Sequence, residues 1–310
     1  MRFLTPLVCL LLALSVACEK PESPDPGETP APETTTNAEP EKEPAPKAVQ
    51  EAAPASQPTF WSEVKLHEAI RSANPGYSGN GQFRIQNGVV DAIALDNCGV
   101  TDLSPFAGMP LVALYLQGCA VPDIEALKGM PLVELYLENT AVKDLAPLSG
   151  MTSLQKLYLS GTIVSDLSPL KGLPIVELNL VGTQVEKLTG LEGMPLQMLW
   201  LTDAPVKDIS SLARSPLVSL TLHRTAVTDL SPLADTNLQR LHIAETNVTD
   251  LSPLAGLPLT RLVFEPDRIE KGMDVVRRMP TLREIGTQFD DSGNDLGPPA
   301  VFWQSRGGGN

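Results

Sequence analysis

Leu154 to Pro174 reads LQKLYLSGTIVSDLSPLKGLP, and the 21 residues that follow, Ile175 to Pro195, read IVELNLVGTQVEKLTGLEGMP. Aligned on their leucines, the two stretches are one unit, LxxLxLxxTxVxDLSPLxGMP. Further copies start at Leu196, Leu217, Leu238 and Leu259. Earlier ones start at Val90, Leu111 and Leu132, the last lengthened by one residue at Met151-Thr152-Ser153. Nine consecutive units of this length cannot each bury an apolar face alone, so they must stack, and residues 90–280 read as a solenoid.

Each position of the unit has a physical reason. Positions 3 to 7, as in Glu134-Leu135-Tyr136-Leu137-Glu138, alternate with period two, which makes a short strand with leucines inward and the other side chains outward. Such strands stack into one parallel sheet. Position 13 is Asp in most copies (Asp102, Asp123, Asp144, Asp166, Asp208, Asp229, Asp250), where a short carboxylate accepts backbone N–H groups at the turn leaving the sheet. In the following Ser168-Pro169-Leu170, Ser suits an N-cap and Pro the first helical position, which predicts a single 3₁₀-like turn. Gly172 closes that turn and Pro174 prevents its continuation. Positions 1, 4, 6, 11, 14, 17 and 20 are apolar and predict one continuous core column. The fifth copy carries Lys187-Leu188-Thr189-Gly190 in place of Asp-Leu-Ser-Pro, so its convex turn is expected to differ.

These residues resemble the leucine-rich repeat family and, through VxDLSPL, the short bacterial repeats of internalins. The resemblance spans roughly two thirds of the chain. It implies an α/β fold, a leucine-rich repeat solenoid with a parallel sheet on the concave face, short 3₁₀ turns on the convex face, and helical caps at both ends. It also implies a non-catalytic recognition module with a protein or peptide partner. The chain departs from the commonest pattern in placing Thr or Cys where Asn often stands.

A solenoid needs its ends covered. In residues 59–89, Ser62 is placed to cap a helix with the apolar stripe Leu66, Ala69, Ile70 and Ala73, while Phe60, Trp61 and Val64 fall off it. Asn74-Pro75-Gly76-Tyr77 ends that helix, and the runs Gln82 to Ile85 and Val89 to Ile93 read as a hairpin around Asn87-Gly88. At the far end a helix is expected from Glu270 to Arg278. A strand near Leu282 to Ile285 opens the closing segment, 281–310. Beyond Phe289 the chain reads as polar loop, with Phe302-Trp303 folding back onto the capping helix.

Met1-Arg2 and the apolar run Phe3 to Ala17 read as a signal peptide (1–17), and Ser15-Val16-Ala17-Cys18 resembles a bacterial lipobox. That resemblance implies lipidation of Cys18 and anchoring to a membrane of the bacterial cell envelope, facing either the periplasm or the outside. Glu19, in place of a retention Asp, favours the outer membrane over the inner. Residues 18–58, rich in Pro, Glu, Ala and Thr, cannot bury enough surface to offset ordering entropy. They read as a tether with a reach on the order of 35 Å. Cys98 and Cys119 hold the same position of adjacent repeats, about 5 Å apart. In register on parallel strands, however, their side chains point the same way, which favours free buried thiols over a disulfide.

The sequence shows no phosphate loop, HExxH, GxSxG or CxxC, so neither an enzyme nor a cofactor is expected. Asp290 to Asp295 lacks the ligand alternation and final Glu of a calcium loop. His67 reads as a surface residue. His223 and His242 are expected as diagonal neighbours at about 7 Å. A metal there would need Asp203 or Glu245 as well, and none is expected. A net charge of −14 argues against nucleic acid or an anionic membrane surface as partner.

Position 5 runs Ala94, Tyr115, Tyr136, Tyr158, Asn179, Trp200, Thr221, His242, Val263 and is expected to face solvent across the concave surface. The leucine lattice does not require aromatics there, and Tyr and Trp supply stiff contact area with a polar tip. Beside this line stand Gln117, Glu134, Glu138, Lys156 and Glu177, giving way to His223, Arg224, Arg240 and Arg261. The candidate ligand-binding residues are Tyr115, Tyr136, Tyr158, Trp200, His242, Glu138 and Arg240, on a chain expected to be a monomer. Two other readings stand beside this one. The aromatics could merely stabilise the sheet of a structural envelope lipoprotein, or the line could stack on the sugars of a glycan or peptidoglycan.

Overall fold

Every copy of the unit contributes one short strand whose middle residue is Leu or Ile, and parallel pairing without slip brings those residues into one file. The computed structural model describes residues 60–290 and 293–306; the signal segment, Cys18 and the tether lie outside the described residues. Eleven strands follow one another in sequence order in a single sheet. They are β1 (Gln82–Gln86), β2 (Val89–Ala94), β3 (Ala113–Tyr115), β4 (Glu134–Tyr136), β5 (Lys156–Tyr158), β6 (Glu177–Asn179), β7 (Met198–Trp200), β8 (Ser219–Thr221), β9 (Arg240–His242), β10 (Arg261–Val263) and β11 (Glu284–Gly286). Within this sheet only β1 and β2 pair antiparallel, and the other neighbours are parallel. Ile93, Leu114, Leu135, Leu157, Leu178 and Leu199 are consecutive register partners, all at or below 1% exposure. The extra residue near Ser153 leaves Tyr136 opposite Tyr158, because Ser153 is absorbed before the strand, its hydroxyl donating to Leu132 O.

On the convex side Ser168–Leu170 and its equivalents form three-residue 3₁₀ turns. Serine does not cap them as expected. The cap position belongs to the preceding leucine, Leu167, which is buried, and the capping group is the carboxylate before it. Asp166 Oδ1 accepts the Ser168 N–H at 2.9 Å, and Asp102, Asp123, Asp144, Asp208, Asp229 and Asp250 repeat the bond. Hydrogen bonds from the following serine hold the carboxyls of Asp166, Asp208 and Asp250 below the usual range. The Thr at position 9 is explained as well. Thr140, Thr162, Thr183 and Thr225 are buried, and each donates its hydroxyl to the carbonyl three residues earlier at 2.7 Å. Cys119 Sγ contacts Leu95 O at 3.0 Å, and both Cys98 and Cys119 are free and buried.

The fifth repeat forms no 3₁₀ turn. Gly190 takes φ +106° there and lies against the Leu167 carbonyl, while Glu192 accepts its N–H at 2.8 Å and the Ser211 hydroxyl at 3.0 Å.

The N-terminal cap is α1 (Glu63–Ala73), capped by Ser62 and burying Leu66 and Ile70. Asn74 stitches it to the first repeat, with Oδ1 accepting the N–H groups of Thr101 and Asp102 and Nδ2 donating to Asp102 O. His67, expected on the surface of the cap helix, is half-buried there. Its Nδ1 lies 2.8 Å from the Tyr77 hydroxyl, and its ring meets Phe83 edge-on.

The C-terminal helix is shorter than expected, α2 (Met273–Arg277), because Gly272 in the left-handed region starts it late. The tail is not a plain polar loop. It forms a hairpin, β12 (Phe289–Asp290) with β13 (Gly293–Asn294), and then α3 (Pro299–Ser305). That helix packs Phe302 near Phe264 and places Trp303 under the Arg277 guanidinium. It covers apolar surface that the last repeat would otherwise expose. Asp295 closes the turn before it, accepting N–H groups from Thr287 and Gln288.

Gly190→Ala meets both a left-handed φ and the Leu167 carbonyl, whereas a Cβ on Gly172 (φ +76°) meets nothing nearby. Denaturant unfolding is expected to show a loss of about 2–4 kcal/mol for Gly190→Ala against about 1–2 kcal/mol for Gly172→Ala.

Candidate functional site

In-register pairing sets equivalent side chains about 4.8 Å apart, close to the separation of stacked rings. The Tyr115 and Tyr136 rings lie 4.7 Å apart, and Tyr136 and Tyr158 stack at 4.4 Å and 10°. Trp200 reaches back past Asn179 to within 6.0 Å of Tyr158. All four aromatics proposed from the sequence therefore form one ladder.

Its hydroxyls engage the neighbouring file. Tyr115 donates to Glu134 Oε2 and Tyr158 to Glu177 Oε2, both at 2.7 Å. Lys156 Nζ stands between those carboxylates, 3.2 Å from Glu134 and 3.9 Å from Glu177. Burial, more than any neighbouring charge, pushes the phenols of Tyr115, Tyr136 and Tyr158 well above their ordinary value.

The expectation that position 5 faces solvent fails at four places, the small or aliphatic Ala94 and Val263 at the ends of the line and two of the candidate ligand-binding residues. Tyr115 is 1% exposed, set by register between the small Ala94 and Tyr136. His242 is 7% exposed and its ring stacks on His223 at 4.5 Å, nearer than the diagonal spacing predicts, because the two rings lean together. Tyr136, Tyr158 and Trp200 remain half-buried. Glu138 is also half-buried, its carboxyl pushed up by burial and by the charge of Asp96. Arg240 is exposed on β9.

Around Arg240 the face forms a hollow of about 180 Å³, lined by Trp200, Thr221, Arg240, His242, Arg261 and Phe289. Arg261 bonds Glu284 at 2.7 Å and lies 4.9 Å from the Phe289 ring centre. At the rim Arg224 grips Asp203 through two hydrogen bonds of 2.6 and 2.8 Å, and His223 Nε2 lies 3.1 Å from Glu245. Among the described residues no three His, Cys, Asp or Glu side chains gather as a metal set.

Two features of this face escaped the sequence reading. Phe289, assigned to the tail, closes the hollow. Position 8 of the first eight repeats is left-handed: Asn97, Gly118, Asn139, Gly161, Gly182, Asp203, Arg224 and Glu245 all have positive φ, and only the ninth, with Pro266, departs. The Gly and Asn in the first five copies are the signal that marks it.

The family model described as leucine rich repeats (2 copies) matches residues 132–172. An internalin, inlF, from Listeria monocytogenes superposes with a TM-score of 0.56 at 25% identity, covering 77% of this chain and 82% of that one. Internalin C2 from the same organism gives 0.57 at 25%, covering 69% of this chain and all of the other. The chain carries leucine-rich repeats and is similar in fold to these internalins. A comparison with curated proteins gives no match. Folds of this kind serve in general as protein-interaction scaffolds, and in this chain the ladder and the hollow share the concave face.

Tyr77, the remaining tyrosine of the chain, is likewise pushed up by burial. A phenol whose folded pKa exceeds its unfolded one, near 10, keeps its contribution to stability below that pH and loses it as pH climbs through the folded value. Phenolate absorbance is therefore expected to stay flat through pH 10 in the native protein and to rise only together with alkaline unfolding. A tyrosine that titrates near pH 10 while the fold persists contradicts the buried ladder.

Proposed function

We propose that this protein is a lipid-anchored recognition module of the bacterial envelope. Its concave face binds a protein or peptide partner, and it performs no catalysis. The observation that carries the reading is the run Tyr136, Tyr158 and Trp200, half-buried and held rigid by stacking, next to carboxylates and a guanidinium on the same face. Stiff, partly exposed aromatics contribute contact area at low entropic cost.

The glycan reading is less well supported. Sugars stack on ring faces, and the faces of Tyr136 and Tyr158 are turned to each other at 4.4 Å. The purely structural reading draws on Tyr115, which is buried and bonded to Glu134. It accounts for the inner end of the ladder and leaves the half-exposed outer rings without a role.

Capture from intact envelopes by crosslinking tests the reading. The Tyr136→Ala, Tyr158→Ala double variant and the single Trp200→Ala are expected to melt cooperatively yet lose the captured partner. Unchanged capture by folded variants favours the structural reading.

The anchor stands on the sequence around Cys18; among the described residues no helix is long and apolar enough to cross a membrane. Cys18→Ser is expected to abolish labelling by radioactive fatty acid and to shift the chain from the membrane to the soluble fraction. A variant that stays with the membrane overturns the lipid anchor.

A further inference from the structure

Charges on the concave face mostly cancel within the face. Lys156 serves both Glu134 and Glu177, Arg224 grips Asp203, and Arg261 meets Glu284. Two places break this balance. Asp96 and Glu138, the half-buried position-7 carboxylates of the first and third repeats, have no cationic partner among the described residues. Arg240 is exposed at the mouth of the hollow between Trp200 and Phe289, and its guanidinium has no carboxylate partner among the described residues.

Each uncompensated group has a physical preference. A cation placed by Asp96 and Glu138 relieves their mutual repulsion. A carboxylate on Arg240 gains a charge-assisted, two-pronged hydrogen bond beside aromatic walls that keep water away. The hollow next to Arg240, about 180 Å³, holds roughly one apolar side chain.

We propose that the concave face reads a dipolar extended segment of a protein partner. An acidic side chain binds Arg240, the apolar side chain beside it enters the hollow between Trp200 and Phe289, and a basic side chain binds at Asp96 and Glu138. This rests on the reading of the face as a peptide-binding surface and adds the charge order of its ligand. β4 and β9 are five strand spacings apart, about 24 Å, and position 3 is offset from position 7 by about 13 Å along the strand. The diagonal of roughly 27 Å corresponds to about eight extended residues between the two ligand charges. A segment of reversed polarity would set like charges together at both ends and be rejected.

Selection from a random peptide library, with peptides long enough to span both charges and the purified full-length chain as bait, tests the proposal. Enriched peptides are expected to carry Asp or Glu beside an aromatic or aliphatic residue, and Lys or Arg about eight positions away. Arg240→Glu is expected to weaken them about tenfold or more, and Arg240→Gln less, in the same direction. Exchanging the peptide's acidic residue for Lys restores binding to Arg240→Glu. Enriched peptides without an acidic residue, or equal binding to wild type and Arg240→Glu, overturn the proposal. If those peptides are still lost on Tyr136→Ala, Tyr158→Ala, the peptide-binding reading survives and only the charge order falls. The absence of any enriched peptide overturns both.

Discussion

The whole molecule depends on one constraint, the slip-free register of a leucine file. Leu114, Leu135, Leu157, Leu178, Leu199, Leu220, Leu241 and Leu262 are successive partners across parallel strands. Each strand is only three residues long and would be marginal alone, so shared burial of this file holds the strands together. A shift of one residue would turn the leucines outward. Because the file cannot slip, every other position of the repeat is also brought into line with its own kind.

That alignment sets both the opportunities and the difficulties of the concave face. Equivalent side chains about 4.8 Å apart stack well if they are aromatic, which accounts for Tyr115, Tyr136 and Tyr158. They repel if they carry like charge, and position 3 answers this by alternating Glu134, Lys156 and Glu177. Arg240 and Arg261 are the exception, direct register partners of the same sign. Arg261 resolves the conflict by turning to Glu284 and the Phe289 ring, and Arg240 is left facing the solvent.

The same reasoning explains what could be read from the letters and what could not. Period and register follow from spacing, so the solenoid, the 3₁₀ turns, the altered fifth turn and the aromatic line were all legible. Exposure was not, since period two tells which side of the sheet a residue occupies and nothing about what covers it. Tyr115 disappears behind its neighbours for that reason, and His242 beneath His223. Capping was assigned to serine because serine is a common cap. The leucine lattice places Leu167 at the cap and hands the task to Asp166. In the tail, Phe302 and Trp303 pointed back to the core, but α3 is too short to show a helical period.

Position 8 shows how scaffold and recognition meet. The turn leaving the strand in the first eight repeats takes a left-handed residue, which the early repeats supply as Gly or Asn and the later ones as Asp203, Arg224 and Glu245. For Arg and Glu that conformation costs about 1–2 kcal/mol. The ion pair of Arg224 with Asp203 and the contact of Glu245 with His223 offset part of it. Glycine at those two positions would satisfy the turn without strain, so the turn itself does not call for these side chains. What they do is tie up the charges of the rim beside the hollow, the Asp203 carboxylate among them, so that Arg240 is the guanidinium left for an incoming carboxylate. Backbone strain at the late repeats and charge selectivity at the hollow are thus two effects of the same substitutions at position 8.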